Sequence, residues 1–329
     1  MKREILISRL LLLAGCGLIG FCMPASANLI IVPTFDSSIT SLSNASDIEA
    51  TINTAIGIYE STFSNPITVD ITFENLPSGL GQSSFSVDDI SYATFRAAVA
   101  ANTKDPIEAA ALALMPACPQ FGTCLNPVTN TADVLIKPAD ASALGINVGQ
   151  GSPVFGGTIS LNTAITNVSS PYTQNSGYYD LLSVTMHEMD EVLGLGSTLG
   201  LSFNPPYSDW VNNPSPEDFF RYAADGTRSF TTSSSAQAYF SVTGAVDLAE
   251  FDNLGNGDYG DWLKGATSAQ VQDAIGTPGV QVNWGTNEIT ALEAVGYDLA
   301  TPEPSTWFLL VSGLAGGMIY KKFGTLLAD

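Results

Sequence analysis

The chain has one histidine, His187, in 329 residues, and it sets 32 acidic side chains against 11 basic ones. A lone imidazole rules out metal sites built from two or three histidines. The scarcity of cations is sharper in the body: with Lys2, Arg3, Arg9, Lys321 and Lys322 confined to the ends, only Arg96, Lys104, Lys137, Arg221, Arg228 and Lys264 remain. A formal net charge of −21 repels phosphate backbones, so nucleic acid is not an expected partner, while divalent cations are compatible with such a surface. Cysteine is nearly as rare. Cys16 and Cys22 lie near the N-terminus, and Cys118 and Cys124 are left in the stretch CPQFGTC. Two cysteines without histidine partners cannot form a structural zinc site, and in an exported chain this spacing predicts a small disulfide-closed loop.

The only histidine lies in Tyr179 to Ser197, YDLLSVTMHEMDEVLGLGS. Leu181, Leu182, Val184, Met186, Val192, Leu193 and Leu195 recur at spacings that predict a largely buried helix, with Asp180 as N-cap and Gly194 as its stop. On such a helix His187 and Glu191 stand one turn apart on one face, so both could bind one cation. Glu188 points in a neighbouring direction, from which it could reach a bound water.

This stretch resembles the active-site helix of metzincin-type zinc metallopeptidases, which reads HExxHxxGxxH or HExxHxxGxxD. His187, Glu188 and Gly194 match; Glu191 replaces the second histidine and Ser197 stands where the third ligand belongs. The resemblance implies zinc held by His187 and Glu191, with Glu188 as the catalytic base, and cleavage of peptide bonds by a metal-activated water. A third oxygen ligand is then expected from Asp209, Glu217, Asp218 or Tyr222, or from Asp190 directly. The alternative is a catalytically inactive peptidase fold serving as a surface or matrix adhesion or binding module, in which His187 caps a polar cluster. A methionine turn beneath the metal also belongs to the resemblance, yet no methionine occurs between Glu191 and Met318. Tyr222 is the candidate for that wall.

Earlier in the chain, strands and helices alternate. Leu29 to Val32 reads as a short buried strand ended by Pro33. A helix is expected from about Ala45 to Phe63, with Ile48, Ile52, Ala55, Ile56 and Tyr59 inward. Ile67 to Phe73 alternates with period two and predicts a strand. Helices follow near Tyr92 to Ala101 and Pro106 to Met115, then strands at Asp133 to Ile136 and Gly157 to Asn162. This order resembles the N-terminal subdomain of metzincin-like peptidases. There the lowest sheet edge borders the cleft and pairs with extended substrate, a role the resemblance gives to Gly156 to Leu161, with a central strand as the alternative.

Beyond Ser197 the chain is rich in loops. Arg221 and Arg228 are expected to anchor them by pairing with carboxylates. Phe251 to Trp262, FDNLGNGDYGDW, gathers Asp252, Asn253, Asn256, Asp258 and Asp261 among glycines, which suits either calcium or turn chemistry. Val271 to Ile275 reads as helical, and Glu288 to Leu299 as a closing helix stopped at Gly296. A third function class, a calcium-stabilised carbohydrate-binding module, requires Tyr207, Trp210, Tyr259, Trp262 and Trp284 to line one face.

The ends carry addresses. Residues 1 to 27 combine a basic start, the apolar run Leu10 to Phe21 and the small-residue site Ala25-Ser26-Ala27, as an export signal does. Leu13 to Cys16 offers lipidation at Cys16 as the competing reading. Pro302-Glu303-Pro304-Ser305, a short apolar run and Lys321-Lys322 resemble a PEP-CTERM sorting signal, which implies an exosortase-type partner, transient membrane association and release to the cell surface or beyond. An ordinary C-terminal anchor is the alternative there. The sequence therefore predicts one exported α+β domain of zincin type, about residues 28 to 300, with subdomains on either side of Ser197 and a sorting segment at 301 to 322. Its expected partners are peptide or protein substrates, with zinc as the expected cation and calcium as the alternative for the Asp-rich loop.

Overall fold

The computed structural model describes residues 28–168, 175–211, 213–265 and 268–300. The expected export signal at residues 1 to 27 and the expected sorting segment at 301 to 322 lie outside the described residues. Strand β2, Thr68–Asn75, is where the alternating pattern decides the architecture: Val69, Ile71 and Phe73 point inward and are fully buried. It pairs in parallel with β1, Ile30–Phe35. The other strands are β3, Gly81–Ser84; β4, Asp88–Ser91; β5, Asp133–Ile136; β6, Val154–Leu161; β7, Thr166–Asn167; β8, Tyr179–Asp180; β9, Arg221–Tyr222; β10, Tyr239–Phe240; and β11, Ala249–Glu250. The main sheet has the order β1-β2-β6-β3, with β6 parallel to β2 and β3 antiparallel to β6. The helices are α1, Ser37–Thr40; α2, Ala45–Thr62; α3, Tyr92–Asn102; α4, Pro106–Leu114; α5, Pro138–Ala143; α6, Leu181–Leu193; and α7, Thr286–Val295. The class is mixed α+β, with a twisted mixed sheet.

Two strand expectations are corrected. Strand β1 runs through Pro33 to Phe35 because it is an edge strand, where a missing N–H on the open side breaks no ladder bond. Nor is it wholly buried, since Ile30 and Val32 are 50% and 42% exposed. The N–H of Ile30 donates to Ile67 and that of Asp36 to Phe73, so by alternation the backbone N–H groups of the odd residues of β1 point to the open edge of the sheet. Of these, Ile31 donates to Glu60 Oε1 at 2.8 Å and Pro33 has no N–H. That edge is blunted. The stretch Gly156 to Leu161 is interior, between β2 and β3, with a register shift opposite Asp70 and Ile71 that leaves Gly156 as the extra residue. The edge beside the cleft is β3.

The helices begin and end where local chemistry dictates. Asp105 and Glu108 form a capping box at α4 with Pro106 in the first turn, and Gly296 ends α7. The inner face of α2 is the predicted one, and Tyr59 on it reaches the middle of α6. Val271 to Ile275 is a turn and bridge rather than a helix: Trp262 donates to the Gln272 carbonyl at 2.8 Å and Ala274 to Trp262 at 2.9 Å, which ties the segment across to another loop. Cys118 and Cys124 are joined in the expected disulfide. Arg221 and Arg228 do anchor loops, but through carbonyl and amide oxygens. Arg221 donates to Tyr259 O and to Asn253 Oδ1, and Arg228 to Phe219 O and Leu114 O.

Candidate functional site

Helix α6 is built to be held on several sides. The Asp180 carboxylate accepts the Ser183 N–H at 3.3 Å, and the helix packs against β6, α2 and β3. At its far end Lys137 Nζ, itself buried and 3.7 Å above the Phe85 ring, donates to the carbonyls of Glu191 at 2.6 Å and of Leu195. A cation there complements the helix's negative end. Burial lowers the Lys137 ammonium pKa, and the Glu191 and Asp258 carboxylates oppose that shift.

His187 Nδ1 lies 2.9 Å from the Val271 carbonyl. A carbonyl only accepts, so Nδ1 carries a proton, and in the neutral ring Nε2 presents its lone pair. Nε2 is 3.7 Å from Glu191 Oε1 and 3.7 Å from Asp261 Oδ1. The ligand atoms of His187, Glu191 and Asp261 all lie within 4.8 Å of one another, the only such group of three or more among the described residues. Asp261 Oδ1 is buried without a hydrogen-bond partner, while Oδ2 accepts the Asp258 N–H at 3.0 Å. With the ring neutral and both carboxylates ionised, three acceptors converge with no donor between them. A buried set of that kind suits a cation, and one imidazole with two carboxylates is a donor set zinc accepts.

Asp261 arrives from the Asp- and Gly-rich loop. Gly260 lies flat on Gly196, where a Cβ would sit 2.5 Å from the Gly196 backbone, and Asp258 Oδ1 accepts the Ser197 N–H at 2.7 Å. Its neighbour Trp262 is fully buried. The loop's other polar groups are committed: Asp252 Oδ1 accepts the Leu254 N–H at 2.9 Å, and Asn253 bonds Arg221 and the Ala236 carbonyl. Glu188 is 5% exposed, with its carboxylate pressed against Gly81 of β3. Burial, then the neighbouring Glu191 carboxylate, pushes Glu188 up to about 8. Burial works to lower His187, but Glu188 and Glu191 overcome it and the net shift is upward. Burial and Glu191 together hold Asp261 well above the carboxylate range. Ser83 Oγ donates to Glu191 Oε2.

The other sequence candidates for a third ligand lie elsewhere. Asp190 faces the back of the helix and accepts from Tyr59 Oη at 2.6 Å and Trp284 Nε1 at 3.1 Å. Glu217 accepts the Gly196 N–H, and Asp218 accepts from Ser197 Oγ at 2.6 Å and Ser215 N at 2.9 Å. Asp209 is exposed, in the short 3-10 turn Ser208–Trp210. Tyr222 packs beside Gly244 under Arg228 and does not line the cleft. The five aromatic rings share no face, because Trp262 is buried and Trp284 packs against Tyr59 with centroids 4.4 Å apart and the rings tilted by 41°. The sequence reading did not assign Lys137, Ser83, Val271 or Glu288 to the site. It did place Asp261 among oxygen ligands, in a loop read for calcium or turns.

The site opens into a cleft of about 440 Å³. Its floor is one face of α6, with Asp180, Ser183, Val184, His187, Glu188 and Glu191; one wall is Leu80 and the open edge of β3 from Gly81 to Ser83, and the other is formed by residues 256–258, 261, 269–271 and 273–277. No lysine or arginine lines it. No protein-family model, curated protein or solved structure matches this chain, so the reading of the site rests on its own residues.

Proposed function

We propose that the protein is a zinc-dependent endopeptidase of metzincin-like fold, exported and addressed to the cell surface by its two terminal segments. His187 Nε2, Glu191 and Asp261 hold the metal. The observation that carries this reading is Asp261 Oδ1, buried and without a partner, 3.7 Å from the lone pair of the only imidazole. A zinc ion held by these residues would supply Lewis acidity toward a water and a carbonyl oxygen. Glu188, in the ionised form that a nearby cation would favour, acts as the general base, taking a proton from the attacking water and returning it to the departing amine. The open edge of β3 pairs with an extended substrate backbone alongside the cleft. With carboxylates on the floor and no lysine or arginine in the lining, the cleft draws peptides that carry basic residues.

Elemental analysis of the purified protein tests the reading. About one zinc per chain is expected in the parent and close to none in Asp261→Asn, which keeps the side chain's shape but removes its charge. A parent that takes up no zinc after incubation with excess metal overturns the proposal and leaves a binding protein.

A further inference from the structure

The orientation of His187 is set by a single peptide group, and that group is gripped from its other side. The Val271 carbonyl accepts His187 Nδ1 at 2.9 Å, and the amide it belongs to ends in the Gln272 N–H. That N–H points to Glu288 Oε1 at 3.4 Å, while the preceding N–H, of Val271, donates to the same oxygen at 2.8 Å. Glu288 is 1% exposed and reaches the loop from the first turn of α7. A glutamate at this helical position has an ordinary occupation, which is to cap the helix start, and Glu288 Oε2 performs it by accepting Gly285 N–H at 3.0 Å. Capping leaves Oε1 unexplained. Oε1 is committed entirely to the loop that orients the histidine.

From this geometry we infer that Glu288 is a positioning residue for His187, acting through the peptide between Val271 and Gln272. Ligating histidines commonly give their second N–H to a carboxylate, which fixes the tautomer and raises the basicity of the ligating nitrogen. Here a peptide stands between the two. The amide is a conjugated unit, so an anion at its N–H end strengthens its oxygen as an acceptor, and hydrogen bonds in such a chain reinforce one another. The result is an imidazole locked with Nδ1 protonated and with Nε2 made a better donor to a cation. The functional weight of this inference rests on the zinc reading, but the relay itself is built only from the chain's own residues.

The test uses the fact that the chain has one histidine. Labelling the full chain with ¹⁵N-histidine makes every imidazole signal belong to His187. In the metal-free parent the Nδ1 proton is expected downfield, as for a strong hydrogen bond. Glu288→Gln keeps the size and removes the charge, so that proton moves upfield, and zinc affinity measured against a competing chelator falls by about 10-fold or more. Asn287→Ala serves as control. It removes a neighbouring clamp on the same loop, where Asn287 Nδ2 donates to Gln270 Oε1 at 2.7 Å and Leu248 O at 2.9 Å, and the proton shift stays at the parent value. If Glu288→Gln does not fold, Glu288→Asp, which keeps the charge but withdraws it from the loop, makes the same measurement. An unchanged Nδ1 proton in the folded Glu288 variant, or an equal shift in Asn287→Ala, overturns the relay. Unchanged shifts with normal zinc uptake sink the relay alone, whereas a parent that binds no zinc but shows the shift sinks only the metal reading.

Discussion

On the front of α6, Glu191 Oε1 faces His187 Nε2 at 3.7 Å, and Asp261 Oδ1 faces it from across the cleft without a donor of its own. On the back, one residue before Glu191, Asp190 is held by Tyr59 Oη and by Trp284 Nε1. All of these acids are buried or nearly so. What separates them is the supply of donors: the back carboxylate has its N–H and O–H partners built in, and the front pair lacks enough of them. Burial of an acid therefore does not mark a site, nor does a missing donor alone, since both Asp140 oxygens lack one too; what sets Asp261 apart is that its unpartnered oxygen converges with Glu191 on one imidazole nitrogen.

The comparison is broken most severely at the front. Glu188→Gln is expected to lower kcat on a protein substrate by about 10²–10⁴-fold, the usual share of a general base, with zinc content unchanged. Undiminished turnover would remove Glu188 from the chemistry. At the back the expected effect is on stability alone. Tyr59→Phe deletes the hydroxyl that bonds Asp190 and the Met186 carbonyl at 2.9 Å, and should cost about 1–3 kcal/mol in denaturant unfolding while leaving zinc stoichiometry at the parent value. Loss of zinc in that variant would show that the two faces are not independent.

The smallest effect is expected at Glu293, an acid remote from both faces. Burial, then the Asp105 carboxylate, pushes it up to about 8 from an ordinary 4.5. Above pH 4.5 the unfolded chain releases this proton while the folded chain keeps it, so stability falls as pH rises from about 4.5 to about 8 and levels off beyond. Glu293→Gln should flatten that decline, giving a higher Tm than the parent near pH 8 and none of the gain near pH 4. An identical pH profile would show that Glu293 titrates at its ordinary value.

The helix carrying His187, its Asp180 cap and its Gly194 stop were legible because each depends on residues within one or two turns. The mixed α+β class was legible for the same reason, through the alternation in Ile67 to Phe73 and the capped helices. Asp261 was legible only as one oxygen ligand among several, since its partner lies in a distant element and its placement depends on the contact of Gly260 with Gly196. Pro33 misled because the rule it obeys concerns which strand is at the edge, and pairing order is not written locally. Val271 to Ile275 carries a helical pattern that Trp262 and Glu288 override by taking its backbone groups. The arginines were expected to seek carboxylates, but carbonyls were the acceptors within reach.

Gly81 gives the two functional readings a common boundary. Strand β3 passes so close over α6 that a Cβ at position 81 would collide with the Glu188 carboxylate and with Val184 Cγ1, 2.9 Å away. The ligands lie outside that collision. If the proposed peptidase reading holds, a lineage could exchange hydrolysis for mere attachment by gaining one methyl group there, with the proposed ligand set and the sheet intact. Among descendants of such a protein, the side chain at this position would be a better register of lost catalysis than any of the metal's own ligands.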